Sequence, residues 1–376
     1  MNADRDLGFM EMAYGLAGKA RGYASPNPLV GSVIVRRGGV VGCGYHAEAG
    51  QPHAEIMALR MAGRRAKGAT IYITLEPCVH WGRTPPCVDS LLSAGLVRAV
   101  ISAHDPNPLV HRRGAARLRA AGLEVSVGLL GERNARLNET YIKFITRKVP
   151  FVTLKAAASL DGKIASRTGD SKWISAPATR DYVHLLRGES DALMVGVNTL
   201  IRDDPRLTVR HPTWGKKRIT RVILDSMLRF PLSAGILGTL DRGRVIVFGR
   251  EGAPTGNAQA LRERGVEVVL VDRPLKDGGF EGPVDEGGGL EAVLAELGRR
   301  EIASVLVEGG GRLETSFLER RLADKIVLTV SPKLIGGRDA RGVFEGEGAA
   351  SVREALALRS LEAFRLGDDL ILEGYF

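Results

Sequence analysis

Three short runs hold residue types that bind metals and move protons: His53-Ala54-Glu55, Pro77-Cys78 and Pro86-Cys87. Zinc takes Cys and His ligands in tetrahedral sets, and a catalytic zinc keeps one of its positions for water. One His and two Cys fill three positions, and two thiolates offset the metal charge. Glu55 is left over, and a carboxylate beside an activated water is a natural proton shuttle. Residues two apart on a helix point roughly 200° apart. His53 and Glu55 therefore share a site only where a helix begins and presents its tip. Pro52 stands where a first-turn proline belongs, and Pro77 reads the same way before Cys78. The metal is thus expected near two helix N-termini, whose positive ends favour thiolates. The competing account is a structural histidine beside two buried free thiols. The general deaminase signature pairs H-x-E with P-C-x-x-C, whereas here eight residues separate Cys78 from Cys87. Cys43 has no partner motif and reads as a small core residue.

A second candidate lies late in the chain. In Val307-Glu308-Gly309-Gly310-Gly311-Arg312-Leu313 an apolar strand runs into glycines and then into a helical pattern, Leu313–Glu319. Backbone N–H groups at such a helix start can hold a phosphate; a plain turn is the alternative. No G-x-G-x-x-G follows a first strand in residues 150–376, so a Rossmann nucleotide fold is not expected.

The elements that must position these residues follow from periodicity. Leu7, Met10, Ala13, Ala17 and Ala20 recur at helical spacing and predict a helix over 4–21. Strands are predicted at 29–36, 70–75, 97–103 and 124–127, and helices at 53–65, 86–94 and 115–121. This alternation indicates an α/β layered fold. A second pattern starts near Pro150, with strands at 151–158, 192–197, 221–224, 244–248, 267–271, 304–307 and 325–331. The stretch 250–289 is rich in Gly, Pro and charge and is expected to be mostly loop. A domain boundary with linker composition is placed at 146–150, giving domains 1–147 and 148–376.

Bulk properties agree with two domains. The chain has 376 residues, 44% of them apolar but only 5% aromatic, so aliphatic side chains must fill the cores. The net charge of +10 comes with scattered arginines and no basic run interleaved with aromatics, which suits phosphorylated small molecules better than nucleic acid. Three cysteines make no disulfide framework. No signal peptide and no membrane-length apolar run is read, so a cytoplasmic protein is expected.

The residues also carry a resemblance. Ser25-Pro26-Asn27-Pro28-Leu29-Val30-Gly31, Gly44-Tyr45-His46, Thr74-Leu75-Glu76-Pro77-Cys78, His80-Trp81-Gly82-Arg83-Thr84-Pro85-Pro86-Cys87 and Asp105-Pro106-Asn107-Pro108, together with the H-x-E run, resemble the bacterial RibD/RibG family. So do Lys155–Lys163, Ser171–Ser175, Asp203–Arg210 and Val307–Gly310 in the second half. The family's longer Cys–Cys interval matches this chain. The resemblance implies a cytidine-deaminase-like three-layer N-terminal domain and a dihydrofolate-reductase-like C-terminal domain. It implies deamination of a diamino-ribosylamino-pyrimidinone phosphate, then NADPH-dependent reduction of its ribosyl group, in a homo-oligomer that binds neither nucleic acid nor membrane. By position, His53, Cys78 and Cys87 would bind Zn2+ and Glu55 would transfer protons. Asn27, His46, His80, Arg83 and Asn107 would line the pyrimidine and ribose-phosphate pocket. Ala157, Trp173, Thr199, Asp203, Ser226 and a loop of Gly310, Gly311, Arg312, Leu313, Glu314, Thr315 and Ser316 would contact NADPH. Ser171, Arg187, Leu207, Arg210 and Glu308 would contact the reductase substrate, with Lys155 and Glu308 as candidates for polar catalysis. One departure stands out: where the family usually has a glycine two residues after Leu109-Val110, this chain reads His111-Arg112-Arg113-Gly114. A nucleic-acid base deaminase with a fused reductase-like binding domain is the alternative function; the Pro-rich loop 81–87 and the second half argue against it.

Overall fold

The computed structural model describes residues 3–81, 85–215, 217–271, 289–346 and 348–376. The chain divides into two compact units, Met1–Lys148 and Val149–Phe376.

The first unit runs α1 (Ala3–Ala17), β1 (Gly31–Arg36), β2 (Gly39–Tyr45), α2 (Ala54–Ala62), β3 (Thr70–Ile73), α3 (Cys87–Ser93), β4 (Arg98–Ile101), α4 (Arg113–Ala120), β5 (Glu124–Val127), α5 (Gly131–Leu137) and α6 (Glu139–Arg147). Its sheet has the order β2-β1-β3-β4-β5. β1 is antiparallel to both neighbours, while β3, β4 and β5 are parallel. Alternation along β1 sends Val33 and Val35 to the face covered by Met10 and Tyr14 of α1. Ile34 points to the other face, where Ala58, Leu91 and Leu118 pack from α2, α3 and α4. Helices on both faces give the three layers of an α/β unit.

Two features depart from the sequence expectations. The hairpin strand β2 was not expected, because Gly39-Val40-Val41-Gly42-Cys43-Gly44-Tyr45 lacks the β-branched density of a strand. Its glycines serve packing instead. A Cβ on Gly42 would stand 2.3 Å from the Ala58 carbonyl oxygen, and one on Gly44 2.5 Å from the Met57 Cβ. α2, which carries the H-x-E run, lies directly on β2 for that reason. The expected linker at 146–150 is a helix end: α6 continues to Arg147 and closes on Lys148 at φ 58°.

The second unit runs β6 (Phe151–Ser159), α7 (Pro177–Glu189), β7 (Ala192–Gly196), α8 (Val197–Asp203), β8 (Thr220–Leu224), β9 (Val245–Arg250), α9 (Thr255–Glu263), β10 (Glu267–Val271), α10 (Gly289–Arg299), β11 (Ser304–Val307), α11 (Gly311–Glu319), β12 (Lys325–Ser331), β13 (Ser360–Leu366) and β14 (Asp369–Tyr375). The strands form one sheet in the order β10-β9-β8-β7-β11-β6-β12-β14-β13. All neighbours from β10 to β12 are parallel, and β14 and β13 close the edge antiparallel. Val152, Met194, Val222, Ile246 and Val305 bury one face under α10 and α11. Leu193, Val195, Ile223 and Val247 bury the other with Leu200 of α8 and Leu261 of α9. β10 lies on the strand expected at 267–271, but α9 occupies ground expected to be loop: Thr255-Gly256-Asn257-Ala258-Gln259-Ala260-Leu261 offers few apolar positions, with Ala258 and Leu261 on its buried side.

The close approach of α2 to β2 yields a stability test. Gly44→Ala should destabilise the protein by about 1–3 kcal/mol, the usual range for overpacking, in a urea or thermal melt. Gly18→Ala, with open space around it, should stay within about 0.5 kcal/mol of wild type. Equal stability of the two variants would contradict the packing.

Candidate active sites

His53 precedes α2 in extended conformation (φ −69°, ψ 161°), so its ring leaves the helix tip while Glu55 lies in the first turn. Cys78 sits on the irregular segment beyond β3, and Cys87 is the first residue of α3 after Pro86. Two helix starts do meet here, but the second belongs to Pro86-Cys87; Pro77 opens no helix. His53 Nδ1 is 3.2 Å from Cys87 Sγ and 3.6 Å from Cys78 Sγ. Nitrogen and sulfur ligands of a tetrahedral zinc stand about 3.5 Å apart at ordinary bond lengths. The three ligand atoms, all within 4.8 Å of one another, therefore fit that ion.

The electrostatics suit a cation. The Cys87 thiol against Cys78, and then the His53 ring, pull the Cys78 thiol down to about 4. The same contact, with burial, pushes Cys87 up, so one sulfur of the pair is held as thiolate. The Cys87 backbone N–H also donates to Cys78 Sγ at 3.3 Å. Glu55 is 3% exposed, and burial raises its carboxyl to about 7.

The other predicted residues of this unit divide into groups. His46 is buried, with its ring 5.3 Å from that of His53. Its Nδ1–H donates to the Pro52 carbonyl at 3.3 Å, and its Nε2 accepts from the Asn27 amide at 2.9 Å. His80 has a buried Nδ1 with no hydrogen-bond partner among the described residues. Asn107 caps its own loop: its Oδ1 accepts from the Leu109 N–H, and its N–H donates to Asp105 Oδ1. Arg83 lies outside the described residues.

Glu76 was not singled out from the sequence, yet it ties this corner together. Its fully buried carboxylate accepts from His104 Nδ1 at 2.9 Å and from the N–H groups of Asp105, Arg112 and Ala115 at 3.2, 2.9 and 2.9 Å. It thereby joins the segment bearing Cys78 to the loop bearing Asn107. An acid directly after an apolar strand was the available signal. Arg112, where a glycine was expected, takes the left-handed conformation at φ 62°. That geometry aims its N–H at Glu76 while the side chain stays exposed. Gly114 passes so close that a Cβ would lie 2.3 Å from the Pro77 carbonyl oxygen.

In the second unit the predicted residues converge on one cavity of about 2010 Å3. Lys155, Ala157, Ser171, Trp173, Arg187, Thr199, Asp203, Arg210, Ser226, Glu308 and Gly310–Ser316 all line it. Leu207 does not: its side chain is 2% exposed within the apolar core. The expected loop Gly310–Ser316 is, from Gly311 onward, the start of α11. Trp173 is 65% exposed, with the Arg180 guanidinium 4.6 Å from its ring centre.

Charge is arranged around one bidentate pair. Arg187 Nε and Nη2 donate to the two oxygens of Glu308, each at 2.6 Å. Burial alone would raise the Glu308 carboxyl, but the Arg187 guanidinium outweighs it and holds the group near 2. Burial lowers the Lys155 ammonium and raises the Glu314 carboxyl to about 8. Burial, then Arg187, lowers His184 to about 4. Perturbed groups gathered in one cavity mark a candidate reaction centre.

Comparison with known proteins agrees with both halves. Residues 3–103 match the cytidine and deoxycytidylate deaminase zinc-binding region, and residues 150–372 match the RibD C-terminal domain. The riboflavin biosynthesis protein RibD of Aquifex aeolicus is 44% identical over 98% of this chain and 97% of its own length. The structure of Acinetobacter baumannii RibD in one crystal form superposes with a TM-score of 0.86 at 37% identity, covering 100% of this chain and 99% of that one. A Thermotoga maritima diaminohydroxyphosphoribosylaminopyrimidine deaminase/5-amino-6-(5-phosphoribosylamino)uracil reductase gives 0.84 at 35% identity, covering 99% of both. With both halves matched in order and relatives matched over nearly the whole chain, this protein belongs to the RibD family of riboflavin biosynthesis enzymes, which join a deaminase to a reductase.

Proposed function

We propose that residues 1–147 hydrolytically deaminate 2,5-diamino-6-ribosylamino-4(3H)-pyrimidinone 5′-phosphate with Zn2+, and that residues 148–376 then reduce the ribosyl group with NADPH. The product is 5-amino-6-(5-phospho-D-ribitylamino)uracil. The observation that carries this is the convergence of His53, Cys78 and Cys87 at zinc spacing beside the buried Glu55. When bound, zinc supplies Lewis acidity that makes a water nucleophilic at neutral pH. Glu55 takes the proton released in the attack and delivers it to the leaving amine. Asn27, oriented through His46, reads the pyrimidinone edge.

In the second unit the start of α11, preceded by the side-chain-free Gly310, offers backbone N–H groups to a pyrophosphate. Arg312 and Arg320 beside it suit further phosphate charge. A bound NADPH supplies the hydride. The ribosylamine opens to an imine whose C1′ accepts that hydride, and its nitrogen then needs a proton. Glu308, fixed as a carboxylate by Arg187, orients the substrate and is a poor donor. Lys155 on β6 delivers the proton. Arg210 holds the anionic end of the substrate, and Arg187 keeps Glu308 in place beside it.

Purified protein is expected to carry about one zinc per chain, measured by metal analysis. Cys78→Ser should lose metal and deamination together, and full deamination by the metal-free variant would end the zinc assignment. Glu55→Gln should keep zinc yet deaminate at least about a hundredfold more slowly. Lys155→Ala should abolish NADPH oxidation while leaving deamination intact. Loss of deamination in Lys155→Ala would refute the division of labour between the units.

A further inference from the structure

Glu314, in the first turn of α11, is 1% exposed, and neither carboxyl oxygen has a hydrogen-bond partner among the described residues. It nevertheless lines the same cavity as Lys155 and Glu308. A buried carboxylate without a partner is strongly unfavourable, so such a group keeps its proton or hands it to a neighbour. Lys155 on β6 is the cation whose charge reaches it most, and Glu308 beyond β11 is the neighbouring anion. Arg187 on α7 is committed to Glu308. Arg312 on α11, and Arg341 and Glu345 beyond β12, are further charged groups lining that cavity.

We propose that Glu314 is a positioning residue for the reductive step, a proton store that recharges Lys155 after it has protonated the substrate. This rests on Lys155 being the donor. Hydride brings its electron pair to C1′ of the open-chain imine, and the C=N π pair moves onto nitrogen. That nitrogen takes a proton from the Lys155 ammonium. The resulting amine takes the proton of the Glu314 carboxyl through water in the shared cavity, and a proton from solvent returns to Glu314. Burial shifts the carboxyl up and the ammonium down, which brings the two groups' acidities closer than they are in water.

The test uses Glu314→Gln in the full-length protein, which keeps size but cannot release a proton. Infrared difference spectra of ligand-free wild type against the variant should show a protonated carboxyl band at neutral pH that fades as the pH passes about 8. The reductase kcat should fall at least about tenfold and its pH profile should lose one ionisation. Glu314→Asp should restore the band and part of the rate. Absence of the band, a wild-type kcat and pH profile in Glu314→Gln, or identical behaviour of the Gln and Asp variants would overturn the proposal. A melt of each variant reports folding separately. If Lys155→Ala still reduces substrate, the donor assignment fails and this proposal with it. If Lys155→Ala is inactive and Glu314→Gln is normal, the proton store alone fails.

Discussion

In both units parallel strands deliver their C-terminal ends to one sheet edge, and the chain turns there into a helix or an irregular loop. Cys78 follows β3 and Asn107 follows β4 in the first unit. In the second, Thr199 follows β7, Ser226 follows β8 and Glu308 follows β11. Parallel strands oblige each crossover helix to begin on that same side. Helix N-termini with unpaired N–H groups are thus concentrated where the strands stop. The candidate site residues gather there, where the backbone presents positive dipole ends and open space. His53 and Cys87 at two helix starts, and Gly310 at a third, are consequences of one topological rule applied to different side chains.

Burial of charge then decides which of these groups can act. Glu76 is fully buried but takes four donors, so it behaves as a structural brace for the segment bearing Cys78. Glu308 is only partly exposed against a bidentate arginine and is likewise settled in one ionisation state. Glu55 is buried with only the Cys87 thiol and its own backbone N–H as donors, and Glu314 has no hydrogen-bond partner among the described residues; both have carboxyls raised toward neutrality. The four acids show how one residue type meets two environments: many donors or a paired arginine hold the carboxylate ionised, and few or none leave it raised toward neutrality.

Much of this was legible in the sequence because the critical residues come in short runs beside proline and glycine. His53-Ala54-Glu55 with Pro52 already implied a helix tip. The strand alternation of both halves followed from apolar runs, and the α/β class was recovered. What could not be read depended on packing or on atoms. β2 was hidden because the glycines that let α2 approach it also weaken its strand signal. Pro77 and Pro86 precede their cysteines identically in sequence, but only Pro86 is followed by a helix; Cys78 lies on the irregular segment that Glu76 braces. Leu207 shows the limit of carrying a position over by resemblance: a position gives no information on which atoms face a ligand, and this side chain belongs to the core.

The central claim is that one chain carries out two different reactions in a fixed order, and product masses test it most directly. The full-length protein would be incubated with the diamino-ribosylamino-pyrimidinone phosphate, with and without NADPH, and the products followed by mass spectrometry. Without NADPH, the account predicts a single product in which one amino group has become a carbonyl oxygen. With NADPH, that product should gain two hydrogens. A reduced product that still retains the amino group, or no deaminated product when NADPH is withheld, would contradict it.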